Sequence, residues 1–543
     1  MVVASESEAA RAGRAMFERG GNAVDAAIAS AFALAVTQPF SAGLGGGAFI
    51  LIRTGLGEVL AVDARETAPA AATRDMFRQP GVPANASLSG PLAVATPGFV
   101  AGCAVALERW GTLPLAQVLE PAIALAEKGF PIGQYHARMI EAMRARGLAK
   151  GFPDTARIQF PAEGTVARPG WRLVQPELAA TLRQIAADSM VFYRGDVAAA
   201  IVESVRARGG ILTREDLAAY QPVIRDPVVG NYRGYKIYTF PPPSSGGIAL
   251  VETLNVLEGW KLAPLGAGSS ASVHRIAEAL KLSFADTLAY VGDPDFVKVP
   301  ASQLIDKPYA AKLRKRIDPA PTSWYQRAPW RWFEGAKPLR VEGPGLPARD
   351  AGTTHLSTSD AAGNAVALTM TINTPYGSGI TAGHTGILLN NEMDDFAIAP
   401  DQPNTYGLVD KRGANAIAAR KRPRSSMTPT ILEKDGNLFM VTGSPGGPRI
   451  ISTTLLSLVN VIDYGMDASE AVSAPRFHHQ WEPDKLYLEP ETPRDVVDGL
   501  RSRGHDVVVE DMDWSAAEAI VAEPSGGFWG GSDPRRDGLA AGY

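Results

Sequence analysis

Thr353 and Thr371 sit in two runs, Thr353–Ser359 and Ala365–Asn373, rich in Thr, Val, Leu and Ile and separated by the turn-forming stretch Asp-Ala-Ala-Gly-Asn. A symmetric hairpin register pairs Ser359 with Ala365, and hence Thr353 with Thr371. It puts both hydroxyls on one face with Cβ atoms roughly 5 Å apart, within hydrogen-bonding reach. Taken alone, that is an ordinary cross-strand pair. A threonine hydroxyl becomes a useful nucleophile only beside a base. Cleavage of the Gly352–Thr353 bond would supply one within the same residue, since a free α-amino group has a reference pKa of about 7.7–8.0.

Acyl transfer needs further groups, and the sequence holds candidates for each. Gly446 and Gly447 lie in Val441-Thr-Gly-Ser-Pro-Gly-Gly-Pro-Arg449, ahead of an apolar helix expected at about Ile450–Tyr464. Their N–H groups at the positive helix end can stabilise an oxyanion, or the pair can simply be a turn that caps the helix. Arg65, at the end of an apolar strand, can grip a carboxylate with two parallel hydrogen bonds. Pairing with Asp63 or Glu66 is its simpler local reading. Glu392, Asp394 and Asp395 follow an apolar run and can bind an ammonium group or merely solvate a loop end. Ser425 and Ser426 precede another strand. Tyr406 is the one aromatic of a long polar loop, Pro400 to Gly413, of the kind that serves as a lid.

The elements that must position these groups read as α+β layers. Ser5-Glu-Ser-Glu8 is a capping-box pattern for a first helix, and Asn22 caps a second, Ala23 to about Thr37, apolar nearly all round. Ala48–Arg53 and Glu58–Asp63 form a second hairpin. Val94 to Leu313 is mostly helical, clearest at Leu115–Lys128 (with a possible break at Pro121), Pro176–Ala187, Val197–Arg208 and Ser270–Tyr290. A strand at Lys236–Phe240 runs into Pro241-Pro-Pro-Ser-Ser-Gly-Gly247. From Pro319 to Gly352 no period is evident, which predicts a linker meeting an ordered strand at Thr353.

Composition narrows the function classes. The 543 residues carry a net charge of −4 with 45% hydrophobic and 20% charged residues, a globular balance without the basic block that nucleic acid demands. The single cysteine, Cys103, excludes an intrachain disulfide, and the seven histidines contain no HExxH or Cys/His cluster, so no metal or cofactor is expected. Adjacent His478 and His479 would point to opposite faces of a strand and are expected to be structural. The apolar run Ala26–Val36 is too short to span a bilayer, and no basic segment precedes it, so neither a membrane span nor a signal peptide is expected in this sequence.

Seven ordered blocks carry a resemblance: Gly20-Gly-Asn-Ala-Val-Asp-Ala-Ala27, Arg65-Glu-Thr-Ala-Pro69, Pro241-Pro-Pro-Ser-Ser-Gly-Gly247, Thr353-Thr-His355, Leu389-Asn-Asn-Glu-Met-Asp-Asp-Phe396, Arg422-Pro-Arg-Ser-Ser-Met427 and Gly443-Ser-Pro-Gly-Gly447. With them the chain resembles the γ-glutamyltransferases (glutathione hydrolases), N-terminal-nucleophile hydrolases. The resemblance implies a four-layer αββα sandwich, cleaved before Thr353 into a large chain 1–352 and a small chain 353–543 that stay together as a heterodimer. It implies Thr353 as nucleophile and Thr371 as its hydrogen-bonding partner. Arg65, Ser425 and Ser426 would hold the substrate α-carboxylate, with Asn373, Glu392 and Asp395 around its α-ammonium. Gly446 and Gly447 would be the oxyanion donors, and Tyr406 the lid aromatic. The implied substrates are glutathione or related γ-glutamyl amides, with water, an amino acid or a peptide as acceptor, and the implied compartment is periplasmic or extracellular. Two alternatives are a glutaryl-cephalosporin acylase of the same superfamily and a non-catalytic amino-acid-binding protein.

Overall fold

Alternation along the strands sorts side chains between two different interiors, and this decides where the hairpin faces. The computed structural model describes residues 1–317, 352–399, 402–523 and 525–543. The strands that matter are β1 (Val2–Ala4), β2 (Gly47–Arg53), β3 (Val59–Ala64), β4 (Val223–Arg225), β5 (Val228–Tyr232), β6 (Tyr235–Thr239), β7 (Gly352–Ser359), β8 (Ala365–Asn373), β9 (Thr430–Lys434), β10 (Asn437–Gly443), β11 (Glu518–Ala522), β12 (Phe528–Ser532) and β13 (Leu539–Ala541). They form a seven-stranded sheet in the order β13-β1-β7-β8-β2-β3-β4 and a six-stranded sheet in the order β12-β11-β10-β9-β6-β5.

In β2, Ala48, Ile50 and Ile52 join one apolar cluster with α1 (Ser7–Glu18) and α2 (Ala23–Thr37), whereas Phe49 and Leu51 join another with Phe240, Ile431 and Val441 of the second sheet. Phe49 stacks on Phe240 across that gap, ring centroids 3.9 Å apart. The second sheet repeats the division: Leu432 and Met440 pack toward α3 (Gly246–Leu257), α4 (Ser270–Tyr290) and α5 (Arg449–Ile462), and Ile431 and Val441 toward the first sheet. Helices therefore cover the outer face of each sheet, giving the αββα sandwich.

Asn22 caps α2 in a reciprocal box with Asp25, as the sequence predicts. Two expectations change. Glu6, not Ser5, caps α1, because the Ser5 hydroxyl is taken up by Thr354 and Gln38. Pro121 leaves the helix Leu115–Lys128 unbroken. The short strand β1, too brief to show a period, pairs with β7 on one side and with β13, from the other end of the chain, on the other. The expected linker 319–352 falls outside the described residues except for Gly352, which opens β7.

Candidate active site

The β7–β8 register is the symmetric one: Ser359 faces Ala365, and Thr353 faces Thr371, with a bulge between Thr371 and Asn373. Thr354 and Thr358 turn toward α1 and α2, bonding Ser5 and the Ala23 carbonyl, so Thr353, His355 and Ser357 look into the gap between the sheets. There Thr353 Oγ lies 2.9 Å from Thr371 Oγ, and the Thr371 hydroxyl donates at 2.8 Å to the carbonyl of Gly352. Because Thr371 has only one hydroxyl proton, its bond to the Gly352 carbonyl makes Thr353 the donor between the two threonines. One hydroxyl thus touches the nucleophile candidate and the carbonyl preceding it. Gly352 fits only as glycine, since a Cβ there would sit 2.4 Å from the Thr374 carbonyl oxygen.

Thr353, Thr371, Arg65, Asn373, Glu392, Asp395, Tyr406, Ser425, Ser426 and Gly447 all line one narrow cleft. Gly446 stands immediately behind Gly447. The Arg65 guanidinium, buried, makes ion pairs with Glu392 and Asp395, and its remaining N–H groups reach the carbonyls of Pro423 (3.3 Å) and Arg424 (3.2 Å). The local pairing read from the sequence holds only in part. Glu66 is 3.5 Å away, but Asp63 accepts the Arg65 backbone N–H and spends its side chain on Arg225. Burial works against the Arg65 charge, yet the surrounding carboxylates more than offset it and hold the group protonated. Burial also raises the pKa values of Glu392 and Asp395, opposed by Arg65, so the cleft is a tightly coupled charge cluster. Asp394 turns away, accepting from Ser87 Oγ (2.7 Å) and the Thr405 N–H (3.1 Å).

Gly446 and Gly447 have φ of +130° and +57°, and α5 starts two residues later. Both need to be glycine: a Cβ on Gly446 would meet Ser515 Oγ at 2.0 Å, and one on Gly447 would meet the Tyr406 ring at 2.9 Å. The Tyr406 hydroxyl donates to the backbone carbonyl (2.9 Å) and side-chain Oδ1 (2.7 Å) of Asn373. The Tyr406 ring therefore lies over the glycine turn and is latched to Asn373, the last residue of β8. Of the expected loop, Pro400 and Asp401 lie outside the described residues.

Arg424, Asn404, Leu408, Met427 and Ile450 also line the cleft and were not picked out from the sequence. Arg424 lay inside a quoted block, but nothing local marks a buried arginine. His478 and His479 are buried and hydrogen-bonded, as structural residues are. His274, Glu278 and His505 come together with ligand-like spacing, but Lys281 Nζ is 3.1 Å from Glu278 and supplies its countercharge. No helix among the described residues is long and apolar enough to cross a membrane.

A family profile described as Gamma-glutamyltranspeptidase matches residues 9–543. The glutathione hydrolase proenzyme of Escherichia coli (strain K12) is 45% identical over 549 aligned residues, spanning 100% of this chain and 92% of that protein. The Acylase ACY 1 proenzyme of Pseudomonas sp. (strain V22) is 39% identical over 99% of this chain and 92% of that protein. The crystal structure of a cephalosporin acylase from Bacillus halodurans superposes with a TM-score of 0.86 at 30% identity, covering 100% of this chain and 95% of that one.

Proposed function

This chain belongs to the gamma-glutamyltranspeptidase family, and from that premise we propose that Thr353 is the nucleophile of a glutathione hydrolase that activates itself by cleaving Gly352–Thr353. The protein is an enzyme that transfers the γ-glutamyl group of glutathione or a related amide, through an acyl-enzyme, to water or an acceptor amine. Thr353 Oγ attacks the γ-carbonyl carbon, and the Gly446 and Gly447 N–H groups stabilise the oxyanion. The C–N bond breaks, and the proton from Oγ passes through the free α-amine of Thr353 to the leaving amine. A γ-glutamyl ester remains on Thr353. Water then adds to its carbonyl carbon, and the ester bond breaks to give glutamate and the free hydroxyl. An acceptor amine instead gives a new γ-glutamyl amide. Residues 1–352 and 353–543 are then the two chains of one folded heterodimer.

The observation that carries this reading is the charge arrangement of the cleft. Arg65 is neutralised by Glu392 and Asp395 rather than by solvent. A γ-glutamyl substrate brings one α-carboxylate and one α-ammonium, so it can exchange partners with this cluster without leaving any charge unpaired. Ser425 and Ser426 line the same wall and would add hydroxyl donors to the carboxylate. Likeness to acylases sustains one alternative, glutaryl amides. Such a substrate brings an anion alone and would leave two buried acids without a cation. Parallel assays of γ-glutamyl-p-nitroanilide and a glutaryl amide test the reading, and turnover of the glutaryl compound alone would overturn it.

A further inference from the structure

The loop after His478 holds the lid from beneath, and the partners of Gln480 fix the orientation of its amide. Gln480 Nε2 lies 3.0 Å from the Tyr406 carbonyl and 3.1 Å from the Glu482 carbonyl. Facing two acceptors, it must be the amide nitrogen, which leaves Oε1 toward His478 Nε2 at 2.9 Å. His478 Nε2 therefore carries a proton. Burial and the nearby Arg449 hold the imidazole neutral, its pKa well below the ordinary value, so Nδ1 is an acceptor. Ser452 Oγ lies 2.8 Å from that Nδ1 and 3.0 Å from the Arg449 carbonyl, and its one proton is shared between these two acceptors. Ser452 is on α5, the helix that begins after Gly446 and Gly447. Ser452, His478 and Gln480 are fully buried.

We propose that Gln480 is a positioning residue for the lid: it fixes Tyr406 over the active site, and through His478 and Ser452 it refers that position to the helix behind the oxyanion turn. This inference rests on the function proposed above. The same loop grips the lid at a second point, where Glu482 pairs with Lys411 at 3.1 Å. From behind, the loop is fastened by His479 and Lys281, both on Asp484 (3.1 and 2.7 Å). The lid pose is thus built against the buried side chains of Gln480, His478 and Ser452, where an amide with no partner is costly. Gln480 touches no reacting atom and acts only through Tyr406.

Gln480→Leu, Tyr406→Ala and the double variant form the test, with wild type alongside. Gln480→Leu is expected to raise KM for γ-glutamyl-p-nitroanilide roughly ten-fold, with little change in kcat and normal processing into two chains. On the Tyr406→Ala background it should add nothing, because the residue it acts through is gone. Trypsin should cut the Gln480→Leu lid, at Lys411 or Arg412, roughly ten-fold faster than the wild-type lid. If Gln480→Leu fails to fold, Ser452→Ala replaces it, with a KM rise of roughly two-fold and the same non-additivity. Unchanged KM, additive effects or an unchanged tryptic rate would overturn the inference. A wild-type enzyme that leaves the γ-glutamyl compound untouched sinks the function instead, and the tryptic comparison still judges the relay.

Discussion

The Thr353–Thr371 hairpin and the charged cleft it faces are built in opposite ways. Thr353 and Thr371 meet through a short turn, and the register of two adjoining strands fixes their distance. Arg65 meets Glu392 and Asp395 across 327 and 330 residues of chain, through side chains whose charges have been taken out of water. The hairpin is a mechanical feature, over-determined by backbone pairing on both sides. The cleft is an electrostatic one, held by charges that each need the others. Substitutions should therefore cost chemistry in the first and stability as well as binding in the second.

The largest effect expected is that of Thr353→Ala, which should remain a single chain on a denaturing gel and show no turnover. A cleaved and active variant would remove the nucleophile assignment and the comparison with it. Arg65→Ala should next lose activity and also about 3–5 kcal/mol of stability, because two buried carboxylates are left uncompensated. Chemical denaturation of the single-chain Thr353→Ala form carrying this change measures that loss, and a cost below about 1 kcal/mol would show that the cleft is not the closed ionic unit described here. Thr371→Val keeps the strand but removes the hydroxyl that touches both Thr353 and the Gly352 carbonyl. Processing should slow roughly ten- to hundred-fold, with the melting temperature little changed. A large fall in melting temperature would make the hairpin's polar pair structural after all.

The smallest effect concerns pH. Burial first, against the pull of Ser87 and Thr405, raises the Asp394 pKa from 3.8 to about 6. Between those values the native state holds a proton that the unfolded chain has released, so stability falls as pH rises through that window. Asp394→Asn cannot titrate and should lose this slope, gaining relative to its parent at pH 7 by at most about 3 kcal/mol. Parallel denaturation curves near pH 4 and pH 7 on the single-chain background would show it, and identical slopes would place Asp394 in a more polar setting than its partners suggest.

Much of the chemistry was legible before any fold was known, but unevenly. The Thr353–Thr371 pairing follows from alternation and a turn, because a one-residue slip would turn every side chain to the other face and the turn length selects among the registers that remain. The Gly446-Gly447 turn could be read as an anion site or a cap, and only the positive φ values and the ring of Tyr406 above it tell how tightly it is used. The family blocks pointed to Arg65, Glu392 and Asp395. Local reasoning paired Arg65 with Asp63 or Glu66, because it cannot see a carboxylate three hundred residues away. Arg424 lay inside a family block without being singled out, and Gln480 carried no signal at all.

By itself, then, the sequence determined the hairpin, its register, the capped apolar helix beneath it and the family, since each depends on neighbours in the chain or on matched blocks. Tertiary structure alone decided which sheet face Thr353 occupies, that Arg65 is neutralised from the far side of the cleft, and that the Tyr406 carbonyl meets the Gln480 amide. The reason is physical. Backbone periodicity is a local property that composition records, whereas the partners of buried charges and amides are set by which surfaces packing brings together.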